Sequence, residues 1–470
     1  MAPSKPDRTQ YHALAINDKP STSPRRAPSS PAAALDRANS VIGDYEVVFD
    51  STAHGGELDD GGSTGSKLEL GSPRLEAFGI TDAAGTQEKS SVMGAALNFT
   101  NSIIGAGIIG LPYAFRQAGF FLGVALLIGL TVLVDWTVVL LVKAGKVSGK
   151  SSYQSLVDSV VGKRGSFLVA MFQFVFAFGA MCAYTVIVGD TLPTVLKALV
   201  PSIADAPLLS REWIMVLTTV FISFPLSMQR DMAALAKTSA VSMAAIVLIV
   251  SLIILRCLDL PESLLGDPNA RLTWIGDSPI KAIGVISFAF VCHHNTFIIY
   301  GSLDLPTLDR FARVTHLSAV TSLIACLLLA VSAYLAFTTT TQGNVLNNFA
   351  TDDTVINIAR LAFALNMFTT FPMETFVARH VLDDYFFANA AVSHVRHWVW
   401  TVTLVALSLI VAVSVHDVSV VLEVTGGVSA SALAFILPAL CWIRLASTQR
   451  WKCIACIAFG VVVMVLSVVM

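Results

Sequence analysis

Two short stretches concentrate the residues able to do chemistry in an otherwise apolar chain. In the first, MGAALNFTNSIIGAGIIGLPYAFRQAG, the residues Gly94, Asn98, Asn101 and Gly105 recur at three- and four-residue steps and share one helix face. Glycines alone would make this a small-residue packing stripe. Two asparagine amides in the same stripe need hydrogen-bond partners that an apolar medium does not supply. Gly105, Gly107, Gly110 and Pro112 follow closely. Each glycine weakens a helix by about 1 kcal/mol and the proline removes a donor, so the pattern predicts an unwound stretch near 105–110. Such backbone leaves N–H groups unused at the start of the next half-helix. With the helix dipole behind them, they suit a carboxylate.

The second stretch, SPIKAIGVISFAFVCHHNTFIIYGS, sets Cys292, His293, His294 and Asn295 in mid-run. Two imidazoles and an amide inside an apolar segment are costly unless they face a cavity or one another, though one histidine can equally be a packed, satisfied residue. A break after Phe290 would leave carbonyls able to accept from an ammonium group. An anion-binding break and a cation-binding break together are what a zwitterion needs. The binding candidates are therefore Asn101, the backbone of Ile104, Gly105, Ala106 and Gly107, and Phe290, Cys292 and His293.

Five further charges fall in or near apolar runs: Asp135, Asp190, Arg360, Glu374 and Glu423. A carboxylate in a span is a natural proton carrier because its charged form is costly there. Asp135 lies deepest by position and Glu423 early in its run, within reach of a far-side vestibule. Both are coupling candidates, as is His293, whose side-chain type titrates near neutrality. Asp190 precedes Pro193 and reads as a cap. Glu374 reads as an interfacial ion pair with Arg379.

The elements that must hold these residues follow from composition. Of 470 residues 55% are hydrophobic and 13% charged, about half the charge of a soluble domain. Thirty Lys and Arg against 32 Asp and Glu leave no basic excess for phosphates, which excludes a nucleic-acid binder. Eleven apolar runs are long enough to span about 30 Å: 92–119, 120–143, 166–197, 212–229, 234–256, 278–301, 313–338, 352–378, 396–415, 417–443 and 453–470. Residues 1–91 are rich in Pro, Ser, Gly and Asp and read as a disordered tail without a signal peptide. Ser23, Ser30 and Ser72 precede prolines, and Tyr45–Val48 fits a sorting pattern of a kind common by chance. Loops on the tail's side carry fourteen Lys or Arg, among them Lys143, Arg230, Lys237 and Arg313, against six opposite. That asymmetry puts the tail, with any partners it has, in the cytosol. The seven cysteines, including Cys453 and Cys456 of a C-x-x-C, read as small packing residues.

The layout repeats. Runs one and six, both interrupted, start near 92 and 278, and runs five and ten end near 256 and 443. Two five-helix halves (92–257 and 278–444) plus an extra helix (453–470) are the mark of an inverted-repeat secondary transporter. Direct sequence identity between the halves is not visible.

LNFTNSIIGAGIIGLPYAFRQAG resembles the first helix of the amino acid/auxin permease family, FAFVCHHNTFIIY its sixth and EVTGGVSASALAFILPAL its tenth. With VDWTVVLLVKAG in the second run, the chain is similar over about 90–470 to fungal vacuolar amino acid transporters and their sodium-coupled relatives. The resemblance implies an all-α polytopic protein of about eleven helices in a LeuT-like 5+5 arrangement, with amino acid bound at unwound parts of helices one and six. It also implies that Asn101 matches the asparagine serving the cation site of sodium-coupled members. Those members add a threonine in helix eight, upstream of a Phe-Pro pair. Here Phe371-Pro372 is present, and Leu365 or its neighbour Asn366 stands where the threonine would be, which favours protons over sodium. Thr369 and Thr370 would serve in another register.

The expectation is a secondary active, proton-coupled amino acid transporter of the vacuolar membrane, working toward the cytosol, with Asn366 completing the pocket wall. It needs no cofactor or bound metal; its partners are the amino acid and the bilayer. The alternatives are a sodium-coupled plasma-membrane importer and a non-transporting sensor. Neither a channel filter nor an enzyme's paired carboxylates, metal spacing or nucleophile motif is recognisable.

Overall fold

The computed structural model describes residues 90–203, 206–229, 239–387 and 393–469, and its regular elements are helices. The tail readings, from the expected disorder to Ser23, Ser30, Ser72 and Tyr45–Val48, lie outside the described residues, as do Arg230 and Lys237. Helix α1 (Val92–Ile103) is started by Ser91, whose Oγ accepts from Gly94 N at 3.1 Å. A 3₁₀ turn (Ala106–Gly110) leads into α2 (Leu111–Ala118), with a 47° bend across the break. Then come α3 (Phe120–Ser148), α4 (Tyr153–Val161), α5 (Lys163–Leu199), α6 (Arg211–Thr218), α7 (Phe224–Ser227) and α8 (Ser239–Leu258). The second half holds α9 (Pro279–Phe290), a 3₁₀ turn (His293–Asn295), α10 (Thr296–Ser302), α11 (Leu308–Phe337), α12 (Thr354–Phe387) and α13 (His394–Ser414). It ends with α14 (Val418–Thr425), α15 (Leu437–Leu445) and α16 (Arg450–Val469).

Among the described residues eight helical spans are long and apolar enough to cross a membrane, or nine with the bent α1/α2 pair counted as one. The α9/α10 and α14/α15 pairs each count as one of them. Outward faces carry Val132, Phe221, Ile324 and Val402, large apolar side chains left exposed as a lipid-facing surface requires. The chain is a multi-pass, all-helical integral membrane protein. Its core lies where α9 crosses α2, α3 and α14, and α5 lies along α12.

Three details depart from the sequence reading. Helix α4 occupies a segment expected to be loop. Nine residues cannot span a bilayer, but Ser152 caps it and Tyr153 Oη donates to Leu433 O at 2.7 Å, fastening it to the core. The fourth run is opened by a π turn (Thr219–Ser223) just before Pro225. The tenth run carries two more (Gly426–Ala430 and Ala432–Ile436) before Pro438. Proline lacks the N–H that would continue the ladder, and a widened turn absorbs the mismatch. Cys453 and Cys456 are buried in the first turns of α16, and Cys456 Sγ contacts Phe435 O at 3.3 Å, consistent with packing roles.

Two of the unusual charges are structural. Asp190 does not merely cap: its carboxylate takes Arg211 Nε at 2.9 Å, and the same guanidinium donates to Val415 O. Arg360, only 2% exposed, donates to the carbonyls of Leu346, Phe349 and Ala350 and to Asn357 Oδ1.

Candidate functional site

Helix α1 ends at Ile103 because Gly105 takes an extended conformation (φ −99°, ψ −143°) that no helix continues. Helix α9 ends at Phe290, as expected, with Val291 extended and Cys292 before the 3₁₀ turn. Both breaks leave terminal N–H and C=O groups without intrahelical partners. The two breaks touch. A Cβ placed on Gly107 would lie 2.6 Å from the Cα and Cβ of Ala289, so only glycine allows the first break to lie against the end of α9.

The half-helices are tied in pairs at their outer ends. Ser90 N donates to Ser302 O at 2.8 Å and Asp304 N to Ser90 O at 2.9 Å, joining the start of α1 to the end of α10. Gly276 N donates to Ala118 O at 2.6 Å and Ser278 N to Gln117 O at 2.9 Å, joining the end of α2 to the start of α9. Near the breaks, Asn295 Nδ2 donates to Ser102 Oγ at 2.8 Å, a second link between the α1 and α10 halves. Asn295 was singled out in the sequence as a mid-run polar residue but not as a site residue. Only the fold shows that it faces α1.

The predicted binding residues gather here. Asn101 is 5% exposed on α1, and Gly105 faces the Tyr184 hydroxyl of α5, 3.6 Å from where a Cβ would stand. Ile104, Ala106, Gly107, Phe290 and Cys292 are buried at the two breaks. Asn366 is 4% exposed, whereas Leu365 is 55% exposed on the outer face of α12. Of the two, Asn366 is thus the residue turned inward. Its carbonyl accepts the hydroxyls of Thr369 and Thr370, and Thr369 also faces Ser242 of α8 at 3.4 Å.

The coupling candidates separate. Asp135 Oδ2 meets His316 Nδ1 of α11 at 2.6 Å, with the imidazole largely exposed. Glu423 faces Lys281 at 3.9 Å, beside the base of α9, and lies next to Tyr113 of α2. His293 is fully buried against α3, with Nε2 3.0 Å from Thr137 Oγ1, itself a donor to backbone. Its neighbour His294 points elsewhere: Nε2 lies 4.0 Å from Glu374 Oε1 and 3.0 Å from Asn295 Nδ2, and its ring lies 5.1 Å from that of Phe176. The expected Glu374–Arg379 pair is not formed. Glu374 turns into the protein with 8% exposure, and Arg379 instead donates to Ser227 O and Thr401 Oγ1. Residues one and a third turns apart on a helix point in different directions when one faces the core and the other a neighbouring helix. Sequence spacing did not reveal which. No cluster of three or more His, Cys, Asp or Glu suited to a metal occurs among the described residues.

Comparison with known proteins places this geometry in a family. Residues 88–470 match the family model described as transmembrane amino acid transporter protein. The rat protein named "Putative sodium-coupled neutral amino acid transporter 11" is 39% identical over 389 residues, 81% of this chain and 85% of the relative. The human protein of the same name is 36% identical over 76% of this chain and 88% of its own length. "Vacuolar amino acid transporter 2" of Saccharomyces cerevisiae is 37% identical over 430 residues, 87% of this chain and 89% of the relative. With a family match over more than three quarters of its length and two interrupted helices meeting in its core, this chain belongs to the transmembrane amino acid transporter family, the amino acid/auxin permeases.

Proposed function

We propose that this protein is a proton-coupled secondary transporter that moves amino acids across the vacuolar membrane toward the cytosol. The observation that carries the reading is the matched pair of breaks in contact at Gly107 and Ala289. Ile104 and Val291 stand 187 residues apart in sequence, as do Val92 and Pro279 at the starts of α1 and α9, and Leu258 and Leu445 at the ends of α8 and α15. The backbone ties share that shift. Ser90 meets 302–304, and 276–278 meets 117–118, with the two partners exchanging roles. Such an exchange supports two inverted five-helix repeats, eleven spans in all counting α6 with α7, and α8.

In this reading Asn101 and the backbone of Ile104–Gly107 hold the substrate carboxylate or the coupling cation. The carbonyls of the break at Phe290–His293 receive the ammonium, with Cys292 behind them, and Asn366 closes the wall. Alternating access moves the α1/α10 and α2/α9 pairs against the rest. The excess of Lys and Arg on the tail's side supports a cytosolic N-terminus, and the yeast relative's name supports the vacuole. Sodium is disfavoured in the register that puts Asn366, buried on α12, at the helix-eight position; the buried Thr370 would supply the threonine in the other register.

The test is uptake of a labelled amino acid mixture into liposomes holding only this protein, with an inward proton gradient and no sodium. Gradient-driven uptake that Asn101→Ala reduces by about tenfold or more is expected, given the cost of removing a buried polar partner. Uptake that appears only with sodium overturns the proton reading. In the same assay Leu365→Ala should stay within about twofold of the native protein, as an outward-facing substitution does. Asn366→Leu should lose about tenfold by burying an apolar group against polar substrate.

A further inference from the structure

We infer that the coupled proton is carried by the His294–Glu374 pair, which spans from the second helix break to α12. This rests on the transport reading above and assigns its carrier. Both side chains are buried, and Nε2 and Oε1 lie 4.0 Å apart. Glu374 Oε2 and His294 Nδ1 have no hydrogen-bond partner among the described residues. A carboxylate so placed beside a neutral imidazole is a lone buried charge, which is expensive. One proton, carried on Glu374 Oε1 or on His294 Nε2, makes the pair neutral overall, and at 4.0 Å it resides on one partner and passes to the other when the side chains close up. No other covalent bond forms or breaks, and the proton comes from and leaves to water.

Space for that water adjoins His294. A cavity of about 40 Å³ opens between α4, α5, α10 and α12, lined by Tyr153, Gln154, Gln173, His294 and His380 among others. That is room for a water, and the amides of Gln154 and Gln173 meet at 2.6 Å along its wall. Helix α4 forms one side.

The pair also has a mechanical connection. Asn295 Nδ2 donates to Ser102 Oγ and lies 3.0 Å from His294 Nε2, so in the unprotonated state Nε2 accepts from the amide. A proton on Nε2 makes it a donor. The amide must then release the ring or turn to offer Oδ1, and the link to Ser102 at the end of α1 changes with it. Proton occupancy on α12 is thereby read at the first helix break, beside Asn101.

The titratable groups around the pair have other work or lie to one side. His293 is bound to Thr137 of α3, Tyr153 of α4 to Leu433 O, and His380 of α12 lies 3.4 Å from Asp384. Tyr184 of α5 is within electrostatic reach of Glu374. Asp135 of α3 is held by His316, and Arg379 is turned to Ser227 and Thr401.

The experiment compares two readouts in the same liposomes: accumulation driven by a pH gradient, and counterflow of labelled against unlabelled amino acid without one. Native protein should show both. Glu374→Gln and His294→Gln should keep counterflow while losing gradient-driven accumulation and the accompanying proton flux. Retained accumulation in either variant overturns the assignment. So does loss of counterflow in a folded variant, because the residue would then serve substrate. If Glu374→Gln fails to fold, His294→Gln and Glu374→Asp decide, the latter by a shifted pH profile for accumulation; an unshifted profile counts against the pair. Native protein without gradient-driven uptake would instead remove the proton-coupled reading itself.

Discussion

Gly107→Ala should slow transport by about ten- to hundredfold while leaving a protein that inserts and purifies. The added methyl would stand 2.6 Å from both the Cα and Cβ of Ala289 and 3.0 Å from its nitrogen. These are backbone neighbours and the first atom of a side chain, so no rotamer change relieves the contact. Overpacking of this sort costs about 1–3 kcal/mol when the surroundings can move. Here the movement must separate the 3₁₀ turn at Ala106–Gly110 from the end of α9, the two elements whose contact defines the candidate site. Placed on the substrate-bound state, that cost is about ten- to hundredfold in rate. The comparison is Gly129→Ala on α3, where nothing lies within 4 Å of the added carbon. It should transport like the native protein in the same uptake assay. Equal activity of the two variants would mean that the two breaks do not work in contact.

The sequence was informative where a local rule has one outcome. Glycines and a proline crowded after Asn101 cannot keep a regular α-helix, and the unwinding expected near 105–110 is a break at Ile104–Gly105 followed by a 3₁₀ turn over Ala106–Gly110. Polar residues crowded after Phe290 mark the second break to the residue, because an apolar run interrupted by Cys-His-His-Asn has few other solutions. The 187-residue offset was visible in run boundaries before the structure located it in the breaks themselves.

What stayed hidden depends on which way a side chain turns. His293 and His294 are adjacent and chemically identical, so sequence offers no ground for choosing between a packed imidazole on Thr137 and one facing Glu374. Likewise Leu365 and Asn366 differ in exposure only because α12 presents one face to lipid and the other to α5 and α8. That rotation is set by packing over the whole helix. Glu374 was misread for the same reason: Arg379 is near in sequence, and the fold sends it to α7 and α13. Helix α4 was missed because a nine-residue amphipathic segment gives no spanning signal, although the Ser152 cap was legible.

Arg360→Ala should destabilise the protein more than any other single change among the membrane-embedded charges. The guanidinium is 2% exposed, and its four hydrogen bonds go to three backbone carbonyls and one side-chain amide oxygen rather than to a carboxylate. It therefore closes the polypeptide of 346–350 onto the start of α12. Truncation leaves the buried carbonyls of Leu346 and Phe349 without donors, at about 1–3 kcal/mol each when nothing replaces them, while the carbonyl of exposed Ala350 can turn to water. Water entering the space would recover part of this, so a net loss of about 3–5 kcal/mol is expected. In a thermal-unfolding measurement on purified protein, the midpoint should fall by about 5 °C or more. Arg360→Lys should recover little, since an ammonium is a point charge and cannot present the planar fork that reaches Leu346, Phe349 and Ala350 together. If Lys restores the midpoint, charge rather than geometry holds the loop. If Ala leaves it unchanged, the loop is held by the apolar contacts of Val345, Leu346 and Phe349 alone. Ion-coupled uptake separates this role from a functional one: any Arg360→Ala protein that survives purification should keep its pH dependence, because the guanidinium touches neither break and none of the coupling candidates.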